Sequence, residues 1–406
     1  MKRVVITGMA GISPLGQDWP TTFTRLQQYR NAVVPMPSWD KFERMNTRLA
    51  APAQFSKPSH YARKAVRAMG RVSLMATRAT ELALAQAGLL DDPLIQTGCM
   101  GVAYGSSTGS TDPIRVFGNM LQSGDMTGVT ATSYIQMMAH TTAVNIGVFF
   151  GLKGRVHTTS SACTSGSQAI GYAFEAIRSG KQTLMVAGGA EELCPSEAAV
   201  FDTLFATSIC NDQPQSTPRP FDAQRDGLVI GEGACSLILE ERDHAIARGA
   251  TIYAEIVGFG TNSDGSHVTE PNQATMAIAM QQALDDANLS AEAIGYVCAH
   301  GTATDKGDVA ESQATALVLG HKPISSLKSY VGHTLGACGA LEAWWSIEMM
   351  RANWFAPTLN LTEVDPRCGD LDYLRGEGRH LDCEWIMSNN FAFGGINTSL
   401  IFKRVR

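Results

Sequence analysis

Apolar positions along the chain fall into two recurring patterns. Short runs rich in β-branched and small apolar residues, VVIT at 4–7 and CMGVAYG at 99–105, alternate with longer stretches in which apolar residues recur at helical spacing, as in RVSLMATRATELALAQAGL at 71–89. Glycine-rich turns separate them, and no low-complexity linker interrupts the series. This alternation predicts an α/β protein built on largely parallel sheets.

The patterns also repeat at long period. ELALAQAGLLDDPLIQTGCMGVAYGSSTGS (81–110) matches MQQALDDANLSAEAIGYVCAHGTATDKG (280–307), setting Tyr104-Gly105-Ser106-Ser107-Thr108 opposite His300-Gly301-Thr302-Ala303-Thr304. Cys163-Thr164-Ser165-Gly166 and its helix match His333-Thr334-Leu335-Gly336 and its helix, and LMVAGGAEE (184–192) matches WIMSNNFAFGG (385–395). Three matches in one order predict duplicated βαβ halves, residues 1–250 and 251–406, related by a pseudo-twofold axis. Equivalent loops then meet, which makes Cys163 and His333 neighbours despite their separation in sequence. Loops at strand ends carry the chemistry in such sheets.

Composition narrows the possible functions. With 406 residues, 44% hydrophobic, the chain can bury a large core. A formal charge of -6 and a pI near 5.9 argue against a phosphate backbone as the main partner and leave room for local basic patches. The start, MKRVVITGMAGISPLG, reads as a strand and turn rather than a signal peptide, and no apolar stretch is long enough to span a bilayer. Nine cysteines without a Cys-x-x-Cys pair fit reduced thiols in a cytoplasmic protein, so burial is the ordinary expectation for each.

One cysteine departs from that expectation. Cys163 lies in VHTTSSACTSGSQAIGYAFEAIRSG, where β-branched residues give way to a small-residue elbow and an amphipathic helix. A thiol at a helix N-terminus is expected to gain thiolate character. With His300 and His333 on equivalent loops, the three side chains suit nucleophilic attack on a thioester, the neutral imidazoles donating to a developing negative charge. The rival is a Cys-His-His zinc site, which usually includes a pair of ligands close in sequence; none is present. Lys328 is expected in a buried turn, pairing with Glu342 or orienting the His333 loop. His267, in NSDGSHVTEP, has no repeat partner and reads as a loop histidine.

These segments resemble the β-ketoacyl-acyl carrier protein synthases, the elongating Cys-His-His condensing enzymes of type II fatty acid and polyketide or aryl-polyene synthesis, within the thiolase-like superfamily. SSACTSGSQAIG resembles the nucleophile motif, CAHGTATDKGD the first histidine motif, and SLKSYVGHTLGACGALEA the lysine and second histidine motif. STPRPFDAQRDGLVIGEGA and SNNFAFGGIN resemble the central loop and the C-terminal glycine-rich turn. The resemblance implies a thiolase fold, a five-layered α-β-α-β-α sandwich. It implies that Cys163 accepts an acyl group from phosphopantetheine while His300, His333 and Lys328 serve decarboxylation of malonyl-carrier protein, the chain growing by two carbons. Amides of Cys163 and Phe393 would form the oxyanion hole, Phe393 would gate entry, and Thr302 and Thr304 would hold the pantetheine arm. No cofactor or metal is needed for this chemistry. Family dimers build their acyl pockets from both subunits, as a homodimer or with a chain-length-factor partner.

Thr108, Ser133 and Phe201 are the expected acyl-pocket residues. Thr108 replaces a bulky apolar residue, and the surroundings of Ser133 are more polar than usual, which favours a rigid, polar or aromatic chain over a saturated one, unless drift accounts for both. Arg63, Lys64, Arg67 and Arg71, three and four residues apart, predict a basic helical stripe that docks the acidic carrier protein. Two other functions compete. A thiolase needs a second cysteine at the C-terminal turn, and NNFAFGG has none. A catalytically silent chain-length factor would lack the nucleophile that Cys163 provides.

Overall fold

The computed structural model describes residues 1–405. Ten strands and six helices frame the molecule: β1 (Val4–Ile12), α1 (Arg71–Gln86), β2 (Met100–Gly105), α2 (Thr141–Phe150), β3 (Val156–Thr159), α3 (Ser165–Arg178), β4 (Leu184–Glu191) and β5 (Gly233–Glu241), then β6 (Ala254–Ser263), α4 (Gln273–Ala287), β7 (Ile294–Cys298), α5 (Asp305–Leu319), β8 (Pro323–Ser325), α6 (Cys338–Ala352), β9 (Trp385–Ala392) and β10 (Ile396–Arg404). Strand order reads β3-β2-β4-β5-β1 and then β6-β10-β9-β7-β8, with Asp372–Tyr373 added beyond β8. The second five mirror the first. β1 and β6 join the two sheets through a short antiparallel pairing, Val4 to Ile256 and Ile6 to Ala254.

Strand alternation shows how the layers stack. Leu237 and Leu239 of β5 pack into a central cluster with α3 and α6, while Ile238 between them faces α1 and α2. In the second half Leu400 and Phe402 of β10 enter the same central cluster, and Ile401 faces α4 and α5. The order is therefore α1/α2, sheet, α3/α6, sheet, α4/α5: five layers. Strands covered on both faces read as continuous apolar and small runs, and all eight residues of β4 are buried. From Cys338 through Met350 every residue of α6 is buried, the signature of a helix surrounded by protein. By contrast α1 buries Val72, Met75, Ala76, Ala79 and Ala83, one face only.

The elbows of the two halves correspond in a register different from the sequence match. A one-turn 3-10 segment at Ala162–Thr164 leads into α3, and another at Leu335–Ala337 leads into α6. Ala162 and Leu335 share a left-handed backbone, φ 50° and 46°. Cys163 thus corresponds to Gly336, and His333 to Ser160. The sequence pairing of Cys163 with His333 is three residues out of register, because both elbows consist of small and hydroxyl side chains that match in more than one alignment.

The basic stripe also needs correction. Residues 59–70 form successive turns, Ala65 N–H bonding Ala62 and Met69 N–H bonding Val66, and not a helix. Burial of Tyr61, Val66 and Met69 in a local cluster sets this path. Arg63, Lys64 and Arg67 are exposed on it, but Arg71 opens α1 and its guanidinium grips buried Glu232 at 2.8 and 2.9 Å.

Candidate active site

The α3 elbow places the Cys163 thiol where the two halves meet. Close approach of the elbows requires glycine: a Cβ on Gly166 would lie 2.9 Å from the Gly336 carbonyl oxygen. His333 is fixed by backbone pairing on both sides, its N–H to Val229 at 2.6 Å and its carbonyl accepting from Gly231 at 2.9 Å. Its Nε2 lies 3.0 Å from Cys163 Sγ. The His300 and His333 rings meet edge to face with centroids 5.2 Å apart.

The hydrogen-bond network assigns both tautomers. Leu335 N–H donates to His333 Nδ1 at 3.2 Å, and the Lys328 ammonium, which can only donate, faces His300 Nδ1 at 3.2 Å. Each neutral ring therefore carries its proton on Nε2, the nitrogen turned toward the thiol or the open site. Burial, with the Lys328 charge second, holds both imidazoles well below the usual histidine range. Lys328 in turn pairs with Glu342 at 2.5 Å, and Asn390 Nδ2 donates to the other Glu342 oxygen at 2.7 Å while lying 3.4 Å from His300 Nδ1.

Cys163 does not rest as the thiolate that its helix terminus predicts. Burial pushes the thiol up to about 11, against the lowering effects of the Lys328 charge and of the Phe393 and Cys163 amides, which face the sulfur. Those two amides are placed to receive an oxyanion. The sulfur and the ring nitrogens lie within 4.8 Å of one another, close enough for a metal. Their protonation is wrong for one. Metal-bound histidines usually donate from the second nitrogen, whereas here both Nδ1 atoms face donors.

A cavity of about 550 Å³ opens onto this centre, walled by Cys163, His300, His333, Phe391, Phe393, Thr302 and Thr304 among others. The hydroxyls of Thr302 and Thr304 lie 2.9 Å apart, and the Phe201 ring leans on Phe393 at 5.0 Å. Thr108 and Ser133 are not on this wall. Thr108 bonds Glu197 at 2.8 Å and Glu191 at 3.1 Å, and Ser133 opens the short helix Ser133–Met137 with its hydroxyl 3.0 Å from Thr130. His267 is exposed, as a loop histidine, yet reaches the cavity rim.

Several buried acids that hold the site together escaped the sequence reading. Glu311 accepts the amides of His300 and Gly301 at 2.6 and 2.7 Å, and Asp308 those of Thr302 and Ala303 at 3.0 and 3.2 Å. Asp308 stands in the first turn of α5, where an acid that binds preceding N–H groups is a recognisable signal, and Glu311 lies nearly one turn further along the helix. Glu191 ties Ser106, Ser107 and Gly336 together across the two halves. Nothing local marks it. Arg225, whose side chain is 2% exposed, pairs with Asp365 at 2.7 Å and bonds the Thr304 carbonyl at 3.0 Å.

Comparison with known proteins agrees with this geometry. Residues 1–245 match the family model for the β-ketoacyl synthase N-terminal domain, and residues 253–362 the model for its C-terminal domain. A 3-oxoacyl-[acyl-carrier-protein] synthase 2 of Vibrio harveyi is 37% identical over 100% of this chain and 99% of its own. The crystal structure of a β-ketoacyl synthase from Burkholderia phymatum STM815 is 68% identical with a TM-score of 0.99, each chain fully covered. A type II polyketide synthase acyl-carrier protein in complex with its ketosynthase, bound to the hexaketide, contributes a chain 29% identical with a TM-score of 0.87, again with full coverage of both.

Proposed function

The chain belongs to the β-ketoacyl synthase family and is a condensing acyltransferase, and on that premise we propose how its own residues divide the work. The observation that carries the assignment is the pair of Nε2–H donors that converge beside Sγ, with His333 at 3.0 Å. In the first half-reaction Cys163 sulfur attacks an acyl thioester on carrier-borne phosphopantetheine. The Cys163 and Phe393 amides hold the oxyanion, the carbon–sulfur bond to pantetheine breaks, and the thiol proton leaves on the pantetheine sulfur. Malonyl-carrier protein then enters the emptied channel past Phe393, its arm held by Thr302 and Thr304. His300 and His333 donate to its thioester oxygen, so the bond to carbon dioxide breaks and the electron pair is held as an enolate. The enolate carbon attacks the acyl-enzyme, Cys163 sulfur leaves as thiolate and takes a proton from water to return to the thiol, and a β-ketoacyl chain two carbons longer departs on the carrier.

Lys328 acts through His300, holding its tautomer. No cofactor or metal enters the scheme, which the donors at both Nδ1 atoms support. The separation of Thr108 and Ser133 from the cavity supports an acyl pocket completed by a second subunit, a copy of this chain or a chain-length-factor-like partner. Exposed Val156 on the edge strand β3 and exposed Val148 on α2, which packs beside it, favour such a contact. Thr108, with Glu197 beneath it, favours a polar or aromatic chain of the polyene kind. Arg63, Lys64 and Arg67 supply positive charge for an acidic carrier. The reduced cysteines fit the cytoplasm; no helix among residues 1–405 is long and apolar enough to cross a membrane. Against a thiolase, Cys383 is buried against Gly295, before β9, and is not on the cavity wall.

Cys163→Ala tests the assignment. Incubated with acyl-carrier protein, the wild type should gain the acyl mass and the variant none, with the fold unchanged by circular dichroism. Acylation of the variant would overturn the assignment.

A further inference from the structure

The rim of the cavity holds a large apolar side chain in an unusual position. The helix Pro195–Thr203 ends in a turn in which Phe205 N–H bonds Asp202 at 3.0 Å and Ala206 N–H bonds Phe201 at 2.9 Å. Phe205 takes the left-handed conformation, φ 53°, at the position after a helix that glycine usually fills. It is nonetheless phenylalanine, and 89% exposed. The next turn is pinned, Leu228 N–H bonding the Ala206 carbonyl at 2.8 Å, so the ring projects from a rigid base. Leu204 and Phe205 wall the same cavity as Cys163, and exposed Val200, one helical turn before Leu204, continues the apolar strip.

Neither folding nor the chemistry accounts for this placement. An aromatic ring gains nothing from water, and a bulky residue in the left-handed region is strained. We propose that Phe205, with Leu204, is the apolar anchor on which the carrier protein seats while its phosphopantetheine arm lies in the cavity. The proposal rests on the carrier-dependent reading above. Its logic is covalent: Cys163 is 5% exposed, the arm that reaches it is bonded to the carrier, and the carrier must therefore stop at the rim. A rigid, exposed aromatic at that stopping point has the character of an interface hot spot. The charges of Arg63, Lys64 and Arg67 would act earlier, steering the encounter over distance, and salt screens them. A contact through Phe205 is apolar and persists in salt.

The test compares Phe205→Ala and Phe205→Gly with wild type, on acyl groups borne by the carrier protein and on the same groups as N-acetylcysteamine thioesters. Glycine suits the local backbone, so the second variant guards against loss of fold. We expect KM for the carrier-borne substrate to rise about thirtyfold at low and high salt alike, the loss of one hot-spot side chain. Values of kcat, and KM for the small thioester, should not move. An equal rise for both substrates would put Phe205 against the arm itself and overturn the proposal, as would an unchanged KM. A change in subunit stoichiometry on size-exclusion chromatography would assign the strip to a second protein subunit and overturn it equally. If wild-type Cys163 takes no acyl group from either thioester, the condensing reading itself fails, and the anchor with it.

Discussion

Replacing Lys328 with methionine separates what its charge does for the fold from what it does for His300. Lys328 and Glu342 side chains are 2% and 3% exposed, so the substitution removes one member of a buried ion pair and leaves the other carboxyl without its cation. Such a loss costs about 3–5 kcal/mol. Glu342 keeps the Asn390 N–H at 2.7 Å, which places the expected loss near 3 kcal/mol, the lower end of that range. The companion variant Lys328→Met/Glu342→Met removes both charges, and its stability should return to within about 1 kcal/mol of wild type, because two buried charges exchanged for apolar volume roughly balance. Catalysis should not return with it. Both variants lose the 3.2 Å donor that holds the His300 tautomer, leaving only the Asn390 amide at 3.4 Å. Release of labelled carbon dioxide from malonyl-carrier protein should fall about 10²-fold in each, the usual effect of disabling one oxyanion donor. Urea midpoints measure the first quantity and carbon dioxide release the second. A wild-type midpoint for Lys328→Met, or decarboxylation restored in the double variant, would refute this division of roles.

Two further predictions follow from buried titratable groups. With the Cys163 thiol pushed up to about 11, its alkylation by iodoacetamide, followed by intact mass, should quicken about tenfold per pH unit from 7 to 9; a plateau below pH 8 would mean that the resting form is already thiolate. His300 and His333 stay neutral in the fold, chiefly through burial and then through the Lys328 charge, whereas in the unfolded chain each takes up a proton below about pH 6.5. Their share of stability is therefore complete above that pH and is lost as pH falls toward their depressed folded values, by up to about 1.4 kcal/mol per unit for each. The urea midpoint of wild type should drop between pH 7 and 5 more steeply than that of His300→Gln, a comparison that cancels the carboxylates common to both; parallel slopes would contradict a neutral buried His300.

Much of the architecture was legible because sheets covered on both faces and helices covered on one leave periodic traces, as β4 and α1 do. Duplication was legible for the same reason, since the order of elements repeats even where side chains differ. Register was not. Both elbows, ACTSG and LGACG, are written in residues chosen for small size, and small residues match one another wherever they are slid. The residues at 63, 64, 67 and 71 failed as a helical stripe because charge spacing carries no backbone information, while the buried Tyr61, Val66 and Met69 fixed a turning path. The meeting of Cys163, His300 and His333 could be found from motif and repeat. The carboxylates behind them could not, except near a helix start: Glu191 finds its donors at Ser107 and Gly336, far along the chain, and no local pattern records such a partnership.

The corrected register also explains why only one half of a duplicated scaffold holds a cysteine at this place in its elbow. The place that Cys163 fills in the first half is taken by Gly336 in the second. A Cβ at Gly336 would come within 2.8 Å of Glu191 Oε2 and 2.9 Å of Ser107 N, so no cysteine fits there without moving buried groups. Glu191 uses that room, accepting from Gly336 N–H at 3.0 Å and from Ser107 N–H at 2.7 Å, and so clamps the second elbow to the loop after β2. The first elbow is left free to turn its thiol toward His333, which stands three residues ahead of the second. Symmetry supplies two elbows that approach closely, and Glu191, at the end of β4, fills the space that a side chain at Gly336 would need.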